Sequence, residues 1–135
     1  MTVAPDTRLS EVAELFRKHG FTSIPVIGPE GRFVGIIFQI DIIRRAREDA
    51  LRQRSTLTSA MTRLADQARK TATTAADIMS VAVPRVGPAF AVGDLLPLLA
   101  DGGTEAVPVM EGARLVGIVT RSDLVSALAH GTFAR

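Results

Sequence analysis

Cysteine, tryptophan and tyrosine are all absent from this 135-residue chain. Without cysteine there is no disulfide, no thiolate nucleophile and no sulfur ligand for a metal, and a reducing compartment is comfortable for the chain. Aromatic residues make up 4% of the sequence, all of them phenylalanine. That argues against a surface that stacks on exposed bases. No apolar run approaches the ~20 residues of a membrane-spanning helix. The opening MTVAPDTRLS has no signal-peptide pattern. Sixteen basic residues face 14 acidic ones, a net charge of +2, which is a weak pointer to any polyanion partner. There is no Gly-rich loop with a lysine, and DGGTE at 101–105 lacks the strand–turn–helix setting of a dinucleotide fingerprint. His19 and His130 have no partner at metal-ligand spacing. No nucleophile–base arrangement is present. We therefore assign no catalytic residue, no metal ligand and no required cofactor, and expect no enzymatic activity.

What the chain does have is a 47% hydrophobic content, enough for a core, and an internal repeat. Residues 3–27 lie over residues 86–110 at an offset of 83. Val3 meets Val86, Pro5 meets Pro88, Glu11 meets Asp94, Leu15 meets Leu98, Gly20 meets Gly103 and Pro25 meets Pro108. Beyond the prolines the offset becomes 82, so Gly35 meets Gly117 and Asp41 meets Asp123. One residue has been lost in a turn, where length costs little.

Each copy reads alike. Val12, Leu15 and Phe16, then Leu95, Leu98 and Leu99, have helical spacing, which predicts a helix in each copy. Pro97 belongs in a first turn on this reading. Gly20 and the pair Gly102–Gly103 are the expected helix stops. SIPVI and AVPVM, then FVGIIF and LVGIVT, predict a β-hairpin in each copy with a turn of about four residues. These strands are so continuously apolar that both faces should be covered. A helix follows near Asp41 and near Asp123, and VAVPRV reads as a leading strand. Between the copies, residues 47–74 are Arg-rich and free of Pro and Gly, and read as a mostly helical, solvated linker. The acidic residues Glu48, Asp49 and Asp66 interrupt its positive charge, which disfavours nucleic acid as a partner.

The signature DIM at Asp77–Met79, then AVPVM, then G-x-L-V-G-I-V-T-x-S-D-L from Gly112, resembles the cystathionine-β-synthase (CBS) domain family. The second copy resembles it end to end. The first does so from Val3 to Ala46 without a DIM equivalent, and the abrupt entry on a strand edge reads as a segment cut from a longer protein. The resemblance implies an α/β (α+β) fold of two tandem repeats, each a small three-stranded sheet with flanking helices, packed with pseudo-two-fold symmetry. The first repeat would span residues 1–46 and the second 75–130, with 131–135 a tail. It further implies clefts for AMP, ADP, ATP or S-adenosylmethionine, a homodimer, and regulation of an attached or partner protein. The linker, LLPLLADGGTEAVPV and the tail GTFAR also look similar to the C-terminal part of HPP-type integral membrane proteins. That would supply a missing membrane domain and put this module in the cytoplasm.

The chemistry a nucleotide needs is present in the matching positions. Asp123 can accept both ribose hydroxyls, Thr120 can donate to a phosphate oxygen, and the helix amides near Ser122 carry partial positive charge. Arg121 is a further candidate phosphate ligand or, equally, a plain surface residue. The family places adenine contacts at Glu105 and Ala106, and at Thr22 and Ser23 in the first repeat; Ser80 and Val81 also border the cleft. In the first repeat Asp41 is kept but Phe38 replaces the threonine, so the Asp41 cleft is expected to be weak or empty. The spacing T-x-x-D by itself is that of a helix cap, with Ser122–Asp123 as a capping pair and no ligand at all; only the family resemblance brings a ligand into it. Both readings stay open at this point.

Overall fold

The computed structural model describes residues 1–53, 73–101 and 104–130. They form two compact units, one of Met1–Gly28 with Val34–Val81 and one of Pro29–Phe33 with Ala82–Arg135. The sequence repeat and the packed unit thus have different limits: residues 75–81 belong to the second repeat by alignment and pack into the first unit.

In the first unit, α1 (Leu9–His19) buries Val12 and Phe16, and it ends where Gly20 turns left-handed at φ 66°. Gly20 N–H then donates to Phe16 O at 2.9 Å, closing the last turn. The hairpin strands are β1 (Ser23–Ile27) and β2 (Phe33–Phe38), joined through a 3-10 turn at Pro29–Gly31. The expected third strand is a single parallel bridge, Val3 to Val26. Val3 N–H donates to Pro25 O at 3.0 Å and Ile27 N–H to Val3 O at 2.9 Å. It stops there because the chain turns at Pro5, with Thr7 N–H donating to Ala4 O at 3.1 Å. Helix α2 (Gln39–Gln53) begins directly after β2, and a one-turn helix α3 (Ala75–Ile78) follows later in the chain. The predicted helical linker is helix as far as Gln53; residues 54–72 lie outside the described residues.

Main-chain bonds lace the segment around α3 into this unit. Leu9 N–H donates to Thr73 O at 3.0 Å, and Ala75 N–H to Thr7 O at 2.8 Å. Ile36 and Ser80 exchange both their bonds, at 3.0 and 2.8 Å. The core joins Val12, Phe16, Ile24, Val26, Ile37 and Ala75. Each of its larger side chains contributes roughly 1.5–3 kcal/mol on leaving water.

In the second unit, VAVPRV is divided: Val86 alone bridges Val109 in parallel, while Ser80, just before it, pairs in the first unit. Helix α4 (Val92–Ala100) buries Leu95 and Leu99. Pro97 lies in its interior and not in the first turn as expected. The reason is the cap: Asp94 reaches back to accept Ala91 N–H at 3.1 Å, which starts the helix a turn too early for Pro97 to be in that turn. Its predicted stop, Gly102–Gly103, falls outside the described residues. β3 (Ala106–Glu111) and β4 (Arg114–Thr120) pair antiparallel with a bulge between Val109 and Met110. Their turn has only two residues, tighter than expected, with Gly112 at φ 61°. Helix α5 (Arg121–Ala129) closes the unit.

The expectation of strands covered on both faces holds for β1, β2 and β3 but not for β4, where Val116 is 53% exposed. The two hairpins differ because a backbone segment covers one and not the other. A Cβ on Gly35 of β2 would stand 2.8 Å from Met79 Sδ, 2.9 Å from Met79 Cγ and 3.0 Å from Ser80 O. A Cβ on Gly117 of β4 would meet nothing nearer among the described residues than Val109 Cβ at 4.0 Å. Gly35→Ala is therefore expected to lower stability by about 1–3 kcal/mol, since a bonded backbone oxygen cannot step aside cheaply. Gly117→Ala should change it by no more than about 0.5 kcal/mol. Urea denaturation of the two variants checks the contrast.

Candidate functional site

Asp41 and Asp123 sit at helix starts, and so do Asp77 and Asp94. Asp41 Oδ2 accepts Phe38 N–H at 2.8 Å. Asp123 Oδ2 accepts Thr120 N–H at 2.8 Å. Asp77 does the same for Thr74 N–H at 2.8 Å, and Asp94 for Ala91 N–H at 3.1 Å. An aspartate three residues into the helix that bonds back to the N-cap amide is thus the usual way this chain starts a helix. At Thr120 the bond is returned, with Asp123 N–H donating to Thr120 Oγ1 at 3.2 Å. The N-cap of α5 is therefore Thr120; Ser122 lies within the first turn, exposed, and does not cap. Each capping bond uses one oxygen. Oδ1 of Asp41 and of Asp123 has no partner among the described residues.

The two aspartates have different surroundings. At Asp123, Thr120 stands opposite the buried Ala106 across the hairpin, and Arg121 N–H donates to Glu105 O at 3.1 Å, holding the start of α5 against the start of β3. The Glu105 side chain is exposed. Arg121 commits its Nε–H to Leu99 O at 2.9 Å, near the end of α4.

At Asp41 the segment after α3 adds a hydroxyl. Ser80 Oγ lies 3.5 Å from Asp41 Oδ2, so Ser80 stands with Asp41 in the first unit. Val81, exposed, follows it. The weakness expected of this cleft rested on Phe38, which has no hydroxyl to offer. Phe38 is buried, and its main chain, not its ring, serves the aspartate. Gln39 Nε2 donates to Phe21 O at 2.7 Å, which fastens α2 beside the entry to β1, where Thr22 is exposed and Ser23 half-buried.

A hollow of ≈ 180 Å³ opens beside Asp41, lined also by Arg44, Arg45, Glu48, Asp77 and Ile78. These neighbours were missed in the sequence. Arg44, Arg45 and Glu48 lie three, four and seven places after Asp41 on one helix, so their common face was available as a signal. Asp77 and Ile78 arrive through tertiary packing, and no spacing announces them. Arg45 is held by Thr73, Nη2 to Oγ1 at 3.4 Å. Away from the site, Arg17 beside Glu14 holds the glutamate's carboxyl below the usual carboxylate range, both groups being fully exposed on α1.

The CBS domain model matches residues 1–48 and 75–130, and the chain belongs to the CBS domain family as a tandem pair. An uncharacterized protein of Methanocaldococcus jannaschii is 29% identical over 95% of this chain and 85% of its own. The CBS domain-containing protein YhcV of Bacillus subtilis is 29% identical over 91% of this chain and 74% of its own. The fold is that of CBSX2, solved in complex with AMP, with a TM-score of 0.76 at 22% identity, covering 100% of this chain and 90% of that one. These matches leave the HPP-type membrane link without support. No helix among the described residues is long and apolar enough to cross a membrane.

Thr120→Ala is expected to cost about 0.5–2 kcal/mol by removing the hydroxyl that accepts Asp123 N–H, with Thr120→Ser recovering most of it. Chemical denaturation in the absence of ligand measures this.

Proposed function

We propose that this CBS pair is a regulatory module that binds an adenosine-containing ligand and conveys its occupancy to an attached or partner protein, with the Asp41 cleft as the principal site. One observation carries the choice of cleft: a half-buried carboxylate with a free oxygen, the Ser80 hydroxyl and a hollow flanked by two guanidinium groups meet within one packed unit. The carboxylate suits ribose hydroxyls, which make charge-assisted bonds to it. The base is assigned to Thr22 and Ser23 at the start of β1, the positions the family resemblance gives for adenine. AMP, ADP, ATP and S-adenosylmethionine are the candidate ligands, and the AMP bound by the structural relative supports that class. The role is binding without covalent chemistry. We read its compartment as the cytosol, where a chain without cysteine loses nothing.

Thermal-shift titration with the four ligands tests this. A hundredfold excess over Kd should stabilise the protein by about 2.7 kcal/mol. Asp41→Ala and Asp123→Ala make a matched pair, because each removes the same kind of capping bond. The ligand shift is expected to vanish in Asp41→Ala and to persist in Asp123→Ala. A shift from none of the four, or one that survives Asp41→Ala, overturns the proposal.

A second reading is a dimerisation scaffold with ligand-free clefts. It is favoured by the aspartate caps, which are complete without a ligand, and by apolar side chains left in water: Ile43 at 61%, Val125 at 65% and Leu128 at 58% exposure. Light scattering at micromolar concentration should then give a dimer whether or not nucleotide is present, and a monomer would count against it.

A further inference from the structure

The outer edge of β4 is open where that of β2 is filled. At one end of it Arg32 bridges Arg114, and Phe33 N–H donates to Ala113 O at 2.9 Å. Beyond that bridge, Pro108 of β3 stands opposite Ile118. Proline has no N–H to give, and the Pro108 carbonyl is turned to Val86, whose N–H it accepts at 3.1 Å. Pro108 therefore exchanges no bond with Ile118, and the N–H and C=O of Ile118 point away from β3. Neither has a partner among the described residues. Burial agrees: each residue from Val116 to Thr120 is more exposed than its match from Val34 to Phe38.

The edge of β2 shows what such a strand takes. Pro25 likewise turns its carbonyl away, to Val3 N–H at 3.0 Å. Ile36, which Ile118 matches at the offset of 82, exchanges two bonds with Ser80. The Met79 side chain then lies where a Cβ on Gly35 would be, and Gly117 keeps the same space with no side chain in it among the described residues. Three features of an occupant follow. Its backbone is extended, to bond Ile118 both ways. An unbranched apolar side chain lies on Gly117. A hydroxyl residue comes next, as Ser80 follows Met79 and stands by Asp41. This chain's own residues 75–81 have those features but are committed to the first unit, through Thr7, Pro5 and Ile36.

We infer that the outer edge of β4, from Val116 to Thr120, docks an extended segment of a partner polypeptide in which methionine or a like side chain precedes serine or threonine. Main-chain pairing supplies the contact, Gly117 reads the apolar side chain, and the hydroxyl comes to the Asp123 end of the strand. The inference is independent of the Asp41 cleft. A peptide with the sequence of residues 74–82, TAADIMSVA, is the probe, added to the whole chain. In the free protein the Ile118 amide should exchange with solvent at least about tenfold faster than that of Ile36, because only the latter is bonded. Saturating peptide should slow Ile118 by about tenfold or more. Fluorescence anisotropy of the labelled peptide should show binding that weakens about tenfold in Gly117→Ala, a change that leaves the free fold nearly unaltered but sets a Cβ where the methionine must lie. The same peptide with Ser80→Pro, which has no N–H for the Ile118 carbonyl, should bind as weakly. An Ile118 amide as slow as that of Ile36 in the free chain overturns the inference, since the edge is then already taken by this chain or a second copy. So does a peptide that fails to bind, that binds without slowing Ile118, or that binds Gly117→Ala equally well.

Discussion

A methionine side chain and a carbonyl oxygen fill the space where residue 35 would carry a Cβ. Because residue 35 is glycine, the chain after α3 can lie directly on β2 and exchange two main-chain bonds with Ile36. That contact brings Ser80 to Asp41 and Asp77 to the edge of the hollow. It also covers the outer edge of β2, which otherwise would show its amide and carbonyl groups to water as an edge strand does. The cleft is therefore made by an approach of two backbones that any larger side chain would hold apart. The polar groups that give the cleft its chemistry follow from that approach.

The same arrangement explains why two copies of one sequence pattern differ in structure. Gly117 matches Gly35 by register, yet its surroundings are open, and β4 is correspondingly more exposed than β2. The divergence was legible in part from the side chains, since Phe38 against Thr120 marks the copies as unequal. What that single pair suggested was a poorer Asp41 cleft. Beside Asp41 stands the hydroxyl of Ser80, a residue 39 places away along the chain. A comparison of aligned positions within repeats has no means of seeing such a contribution.

The choice between cap and ligand grip for the T-x-x-D spacing resolves into a partition of atoms. The carboxylate has two oxygens, and one of them is taken by the N-cap amide at Asp41 and at Asp123 alike. Asp77 and Asp94 show that the device is general in this chain and needs no ligand. The second oxygen of Asp41 and of Asp123 has no partner among the described residues, so capping orients the group without exhausting it. A structural role and a binding role are compatible on one side chain because the bond that holds the carboxylate in place also fixes where its free oxygen points.

By itself the sequence determined the duplication, the helix and hairpin order within each copy, the Gly20 stop and the family. These follow from apolar periodicity and from residues with restricted backbone preferences, which act over a few neighbours and leave a local trace. It also determined which face of α2 carries Asp41, Arg44, Arg45 and Glu48, since a helix places those intervals together. Only the tertiary structure decided that residues 75–81 pack with the first unit, that Arg121 bonds to Leu99, and that Ser80 and Asp77 join Asp41. Each of these depends on where distant backbone segments meet. Main-chain amides and carbonyls, the same in every residue, make most of those meetings, and composition and spacing carry no record of them.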